Sequence, residues 1–450
     1  MADRKIRVIQ TSQGSSDRLT EKAPLYFRKD EKGVENQLIN VYDDVEYQEI
    51  LGFGGAITEA SAVTAAKLGE ANRNKILDAY FDTEEGIGYT VVRTHINSCD
   101  FSLGNYAYVE EEDPTLSNFD IGRDKEHLIP YIQQAKKRAG DNFVLYASPW
   151  SPPKWMKTNG QMNNGGSLKP EYRETWARYY AKFIEAYTAE GLPIWGLTVQ
   201  NEAKAAQKWD SCIYTAEEER DFVRDYLGPV LEKSGMSDVR LMIWDHNKER
   251  VYDRAKTAFE DALASKYIWG IGFHWYSGDH FEALSVVHDR FPDKKLIFTE
   301  GCHEGGVQLG SWKSGERYAH DIMGNLNNWM SGWTDWNIVL DEQGGPNHVE
   351  NFCDAPIIAD TTTDSLTFQS SYYYIGHFSK YIRPGAVRVG SSKYTEHLQT
   401  TAFKNTDGTI AVVVLNRSDE AIPYIVRNRE EIAETVVEAH SIQTLLFPAL

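Results

Sequence analysis

Through the middle of the chain, apolar residues come in short runs with little strict alternation, and most runs end in polar residues. From Glu49 onward these are E-I-L-G-F-G-G-A-I-T (49–58), G-Y-T-V-V-R-T (88–94), F-V-L-Y-A-S-P-W (143–150) and I-W-G-L-T-V-Q-N-E (194–202). The series continues with V-R-L-M-I-W-D (239–245), I-W-G-I-G-F-H-W-Y (268–276), K-L-I-F-T-E-G-C (295–302) and G-W-T-D-W-N-I-V-L (332–340). Between them apolar positions recur at helical spacing. In Glu171–Glu190 the recurring residues are Trp176, Tyr179, Tyr180, Phe183 and Tyr187, and Ala216–Ser234 follows Thr215 as an N-cap. Strands covered on both faces lose the polar/apolar alternation, so eight such runs alternating with helices predict an α/β fold of the (β/α)8 TIM-barrel type. An open doubly wound sheet is the competing architecture.

The two ends of the chain follow a different period. After Ile382-Arg383-Pro384-Gly385, the segments H-L-Q-T-T-A-F-K-N, G-T-I-A-V-V-V-L-N-R-S and S-I-Q-T-L-L-F-P show turn signals and no helical repeat. Short strands of the same kind precede residue 48. The expected organisation is a catalytic barrel over residues 49–384 and a side β-sandwich built from residues 1–48 and 385–450.

Composition narrows the partners. A net charge of −19 over 450 residues, with no long basic run, argues against nucleic acid and against an anionic membrane surface. No apolar stretch reaches membrane-spanning length, and M-A-D-R-K-I-R-V-I-Q-T-S lacks a signal-peptide core, so a soluble cytoplasmic protein is expected. Cys99, Cys212, Cys302 and Cys353 are widely spaced without a C-x-x-C pair, which suits reduced thiols better than a disulfide framework or a zinc knuckle. The 12 Trp and 25 Tyr exceed what packing needs, and many lie near strand ends, where flat faces with a polar handle suit sugar rings.

Function in such a barrel collects at the carboxyl ends of its strands. The polar residues there are Arg93 and Asp100, Trp150, Asn201-Glu202, His274-Trp275-Tyr276, Glu300, and Asp335-Trp336-Asn337. Glu202 and Glu300 are about three βα units apart at roughly 30 residues per unit, which sets them on the fourth and seventh strands across the barrel mouth. Two carboxylates facing each other at ~5–5.5 Å are what a retaining glycosidase uses, one to attack the anomeric carbon and one as acid and then base. Their repulsion raises the pKa of one of them, which keeps an acid protonated near neutral pH.

Several longer strings then carry a resemblance. T-V-Q-N-E, F-T-E-G-C, G-F-G-G-A-I-T-E-A, S-C-D-F-S, A-S-P-W-S-P-P-K-W-M-K-T-N-G, F-H-W-Y, L-G-S-W and G-W-T-D-W-N run in an order similar to that of the glucosylceramidases of glycoside hydrolase family 30. The resemblance implies retaining hydrolysis of β-glycosides without cofactor or metal. It implies Glu202 as general acid/base and Glu300 as nucleophile, with Asn201 on the sugar 2-hydroxyl. Asp100, Trp150 and Trp336 would hold the sugar, while Arg93, His274 and Tyr276 would line the site, Tyr276 donating to Glu300 and keeping it ionised.

One departure bears on substrate. Ala203 stands where many members have Pro, and the loop A-K-A-A-Q-K-W-D-S-C differs from the Tyr/Pro-containing loop of the lipid-active enzymes. A soluble β-glucoside is therefore expected. The alternatives are the same machinery on xylose, fucose or glucuronic acid, with Lys204, Lys208, Lys313 and Arg317 as conceivable uronate partners, or an endo-β-1,6-glucanase. A non-catalytic carbohydrate-binding protein would have lost one carboxylate, and both are present. A dinucleotide fold fails because Ile57 stands where G-x-G-x-x-G needs its third glycine, and a zinc hydrolase because His303-Glu304 lacks a second His at helical spacing. Cys99 and Cys302 lack a partner set for thiol catalysis and read as buried small residues.

Overall fold

The computed structural model describes residues 4–450. Eight parallel strands close a barrel: β1 (Gly52–Ala56), β2 (Val91–Ile96), β3 (Val144–Pro149), β4 (Gly196–Thr198), β5 (Arg240–Asn247), β6 (Ile268–His274), β7 (Lys295–Glu300) and β8 (Met330–Asn337). β8 returns to β1 through the register Trp333↔Phe53, so no edge is left open. All eight lie within the apolar runs, apart from His95 and Ile96 at the end of β2, Met330 and Ser331 at the start of β8 and His246 and Asn247 at the end of β5, and closure excludes the open sheet.

The glycines of β1 have a packing reason. A Cβ on Gly54 would sit 1.6 Å from the Val91 carbonyl oxygen, and one on Gly55 2.5 Å from Ile338. Only glycine lets β1 lie this close to its neighbours.

The helices form the outer ring. In the helix Arg173–Ala189, Trp176, Tyr179, Tyr180, Phe183 and Tyr187 are all buried. Thr215 and Glu218 close a capping box over the helix beginning at Ala216. Inside the barrel, Val91, Tyr146, Met242 and Ile297 form an apolar plug at the amino-terminal end. Side chains two residues along a strand share a face, so Arg93, Ser148 and Thr299 stand one layer higher, toward the carboxyl ends.

Val339–Asp341, Ile357–Asp360 and Ser365–Phe368 form a small separate sheet, and the other strands join both termini. Lys5–Ser12 pairs antiparallel with Ser441–Pro448, and Leu38–Glu49 lies between Val387–Lys393 and Ile422–Asn428. In Thr409–Asn416, Ile410, Val412 and Val414 point into the sandwich core, while Ala411, Val413 and Leu415 join the core shared with the barrel. Fully buried His377 hydrogen-bonds Thr444 at 2.8 Å and Thr11 at 2.9 Å, tying the last barrel helix to both terminal strands.

Candidate active site

Arg93, wholly buried, organises the carboxyl end of the barrel. Its Nη1 donates to Glu300 Oε2 at 2.6 Å, its Nη2 to Asp245 Oδ2 at 2.8 Å and Asn201 Oδ1 at 2.9 Å, and its Nε to Ser148 Oγ at 3.1 Å. One planar fork thereby fixes side chains from four strands or strand ends. Burial opposes its charge, but Asp245 and Glu300 more than compensate and hold its pKa above the ordinary value.

Asp245 also accepts from Thr198 at 2.7 Å and Thr299 at 2.6 Å and is 2.8 Å from His274 Nε2. Burial pushes its carboxyl up, yet Arg93, His274 and Thr299 hold it well below the usual carboxylate range. It reaches inward because Trp244 and Asp245 take left-handed φ values of 71° and 49°, and the register with β6 shifts between Trp244 and His246. This bulge re-aims the end of β5 toward the axis.

Glu300, the last residue of β7, has both oxygens engaged. Arg93 holds Oε2, and the Tyr276 hydroxyl donates to Oε1 at 2.9 Å. Glu202 lies beyond the end of β4, where its own φ of 49° turns the chain and its N–H bonds to the Asp245 carbonyl at 2.9 Å. Its side-chain neighbours are more distant: His274 Nδ1 at 3.4 Å, His246 Nδ1 at 3.6 Å and Gln207 Nε2 at 3.4 Å. Two carboxylates of unlike environment thus share one site, the arrangement that divides nucleophilic and proton-transfer work.

Burial raises Glu300, with the Glu202 charge adding to that push, while His274 and Arg93 pull it down. For Glu202 burial is more than offset by His274 and His246. His274 is pushed up to about 9: burial opposes its charge, but Glu300, Asp245 and Glu202 favour it.

Above this layer lies an open cavity of about 120 Å³. Glu202, Glu300 and Asn201 line it, and because Arg93 occupies the Asn201 carbonyl oxygen, the amide N–H groups remain for a ligand. Trp150 and Trp336 stack on each other, centroids 5.2 Å apart and 14° between planes, over the Arg93 guanidinium. Asp100 accepts from Asn347 at 3.2 Å and Asn351 at 3.3 Å through Oδ2, which leaves Oδ1 for a ligand. Burial and the Glu300 charge push its carboxyl up to about 7. Tyr276 completes the expected set in the wall. Arg93 and His274 do not line it: both are fully buried and act through Glu300, Asn201, Asp245 and Glu202 rather than on a ligand.

Other wall residues went unread in the sequence. His246 and Asn247 end β5, Gln207 and Trp209 come from the loop after Glu202, and Asn351 from the loop after β8. The rule that polar residues at strand ends carry function applies equally to D-H-N at 245–247. Cys302 and Cys353 also reach the wall, but the Cys302 thiol is pushed up by Cys353 and by burial, and Cys99 by burial, which suits neither to be a thiolate. All four cysteines are free and buried.

Comparison with known proteins agrees with this geometry. Residues 50–382 match the glycosyl hydrolase family 30 TIM-barrel domain, and residues 385–445 the family's beta sandwich domain. The lysosomal acid glucosylceramidase of Mus musculus is 39% identical over 431 residues, 91% of this chain and 83% of the relative. The crystal structure of SrfJ from Salmonella typhimurium superposes with a TM-score of 0.96 at 39% identity, covering 99% of this chain and 100% of that one. A solved endo-beta1,6-glucanase superposes at 0.87 with 29% identity, again over 99% and 100%. The chain belongs to glycosyl hydrolase family 30 and is a glycosidase of the glucosylceramidase type.

Proposed function

We propose that the chain hydrolyses soluble β-glucosides with retention, Glu300 acting as nucleophile and Glu202 as general acid/base. The observation that carries this is the contrast between the two carboxylates: donors at 2.6 and 2.9 Å hold both oxygens of Glu300, whereas every side-chain neighbour of Glu202 is at 3.4 Å or beyond. Burial pushes Glu300 above the ordinary carboxylate value, while His274 and His246 draw Glu202 below it. The two titrate as one unit, however, and short charge-assisted bonds favour the ionised form at Glu300 more than long contacts do at Glu202. Charge balance agrees: with Arg93 and His274 cationic and Asp245 and Glu300 anionic, the cluster is neutral when Glu202 carries the proton.

In the first step a Glu300 oxygen bonds to the anomeric carbon as the bond to the leaving oxygen breaks, and the Glu202 proton passes to that oxygen. In the second, water attacks the same carbon, its proton goes to Glu202, and the glycosyl ester to Glu300 breaks. Asn201 donates to the 2-hydroxyl, Asp100 accepts from hydroxyls farther round the ring, and Trp150 and Trp336 supply apolar faces and N–H donors.

The wall supports a neutral sugar, since among the described residues no Lys or Arg lines it and none of Lys204, Lys208, Lys313 and Arg317 reaches it. Glucose is further supported by relatives named glucosylceramidase and endo-beta1,6-glucanase. Gln207 and Trp209, from the loop that departs from the lipid-active pattern, line the cavity beside Glu202 and suit a polar or saccharide leaving group.

Azide rescue tests the roles. Glu202→Ala with added azide is expected to regain turnover as a β-glycosyl azide, and Glu300→Gln to show no such rescue. An inverted α-azide from a nonpolar replacement at Glu300 would support its role as nucleophile; an α-azide from Glu202→Ala together with a β-azide from the Glu300 replacement would reverse the assignment, and unchanged hydrolysis in either variant would remove the site from consideration.

A further inference from the structure

Glu202 is flanked by two histidines from neighbouring strands. His246 ends the bulged β5 and His274 ends β6, and their side-chain atoms with Glu202 lie within 4.8 Å of one another. The facing nitrogens, Nδ1 of each ring, are buried and have no hydrogen-bond partner. At 3.4 Å (His274) and 3.6 Å (His246) from Glu202 Oε1, both are too far for a charge-assisted hydrogen bond, whose length is about 2.7–2.9 Å. Two imidazoles, one fully buried and one half-buried, whose buried Nδ1 atoms face one carboxylate oxygen without a partner require an explanation.

Zinc bonded to nitrogen and oxygen at about 2.0–2.2 Å sets adjacent ligand atoms of a tetrahedron roughly 3.3–3.5 Å apart. The 3.4 Å spacing to His274 falls within such an edge, and the 3.6 Å spacing to His246 exceeds it by about 0.1 Å. The support around the rings also suits a metal: His274 Nε2 is 2.8 Å from Asp245 Oδ1, and donation there keeps Nδ1 as the nitrogen whose proton a metal would displace, as in carboxylate–histidine–zinc arrangements. Glu202 and His246 both line the cavity, so a fourth coordination position would open to water.

We propose that Glu202, His246 and His274 form a binding site for a borderline-soft divalent cation, Zn²⁺ or a close analogue, that blocks hydrolysis when occupied. The cation replaces the protons these groups carry, ties up the Glu202 carboxylate and stands between it and the leaving group. Binding is a property of the three ligands; only the inhibition rests on the acid/base role proposed for Glu202.

The experiment titrates the chelator-treated chain with Zn²⁺ by calorimetry and with Co²⁺ by visible absorption, beside His246→Ala, His246→Asn and Glu202→Gln. One Zn²⁺ per chain is expected, with the intense visible bands of four-coordinate cobalt. Affinity should fall at least ~10-fold in each variant. Thermal midpoints of the metal-free variants show whether they fold, and His246→Asn keeps a polar side chain at the position if alanine does not. Equal affinity in the folded variants and the parent, or absence of the cobalt bands, overturns the site. In the parent, Zn²⁺ should abolish hydrolysis and a chelator should restore it. Ligand-dependent binding that left hydrolysis intact would keep the metal site and overturn the blocking role.

Discussion

Arg93 and Asp245 face each other as a fully buried ion pair, Nη2 to Oδ2 at 2.8 Å, beneath a cavity that neither of them lines. Because the two charges neutralise each other in the interior, removing one strands the other. Asp245→Asn is expected to cost roughly 3–5 kcal/mol of unfolding free energy, the range for breaking a buried pair. Urea unfolding of the variant checks it, and a loss under ~1 kcal/mol would mean that the remaining neighbours of Arg93 are sufficient.

Tyr276 holds Glu300 Oε1 from the side opposite Arg93. A hydrogen bond to a carboxylate favours the ionised form, so Tyr276→Phe raises the Glu300 pKa. At roughly 1.5–3 kcal/mol for a bond to a charged group, the acidic limb of kcat/KM should move up by about one pH unit or more. The pH profile on a nitrophenyl β-glucoside reads it. A limb that stays in place while kcat falls would confine Tyr276 to shaping the wall.

Asp335 lies buried at the end of β8, accepting from Tyr318 at 2.6 Å through Oδ1 while Oδ2 has no partner. Burial pushes its carboxyl up to about 8. Between roughly pH 4 and 8 the folded chain therefore holds a proton that the unfolded chain has released, and this group's contribution to stability falls as pH rises through that window. Asp335→Asn should flatten the decline by about 1 kcal/mol per pH unit, seen by urea unfolding at several pH values. An unaltered slope would place that titration on another group.

Trp209, half-buried, lines the cavity from the loop that follows Glu202. If leaving sugars stack there, Trp209→Ala should lower kcat/KM on a β-linked glucose disaccharide about tenfold, corresponding to an aromatic contact of roughly 1.4 kcal/mol, with little change on nitrophenyl glucoside. Equal losses on both substrates would instead make Trp209 a support for Glu202 or its loop.

The barrel was legible because each strand is covered on both faces and leaves a near-continuous apolar run, as in V-R-L-M-I-W or K-L-I-F-T. Glu202 and Glu300 were legible for a related reason: a carboxylate placed directly after such a run has few structural uses. Asp245 carries comparable weight yet looked like the last letter of a strand, because the bulge that turns it inward is a backbone event with no distinct residue signature. Asn347 and Asn351 were hidden differently. They meet Asp100 only because the loop after β8 folds back across the mouth, a contact between residues about 250 positions apart that no local pattern encodes. Arg93 was found but set in the wall, since sequence order tells which strand end a residue occupies and not how deep its side chain lies.

The strand Thr409–Asn416 sends alternate side chains into two different cores. The sandwich is thus less a passenger than one wall of the enzyme's own interior. Cutting it away would strip Ala411, Val413 and Leu415 from the barrel side and leave an apolar scar there. Swapping it for a sandwich from another enzyme would succeed only where the two surfaces had been shaped together, which makes this junction a heritable unit rather than a seam.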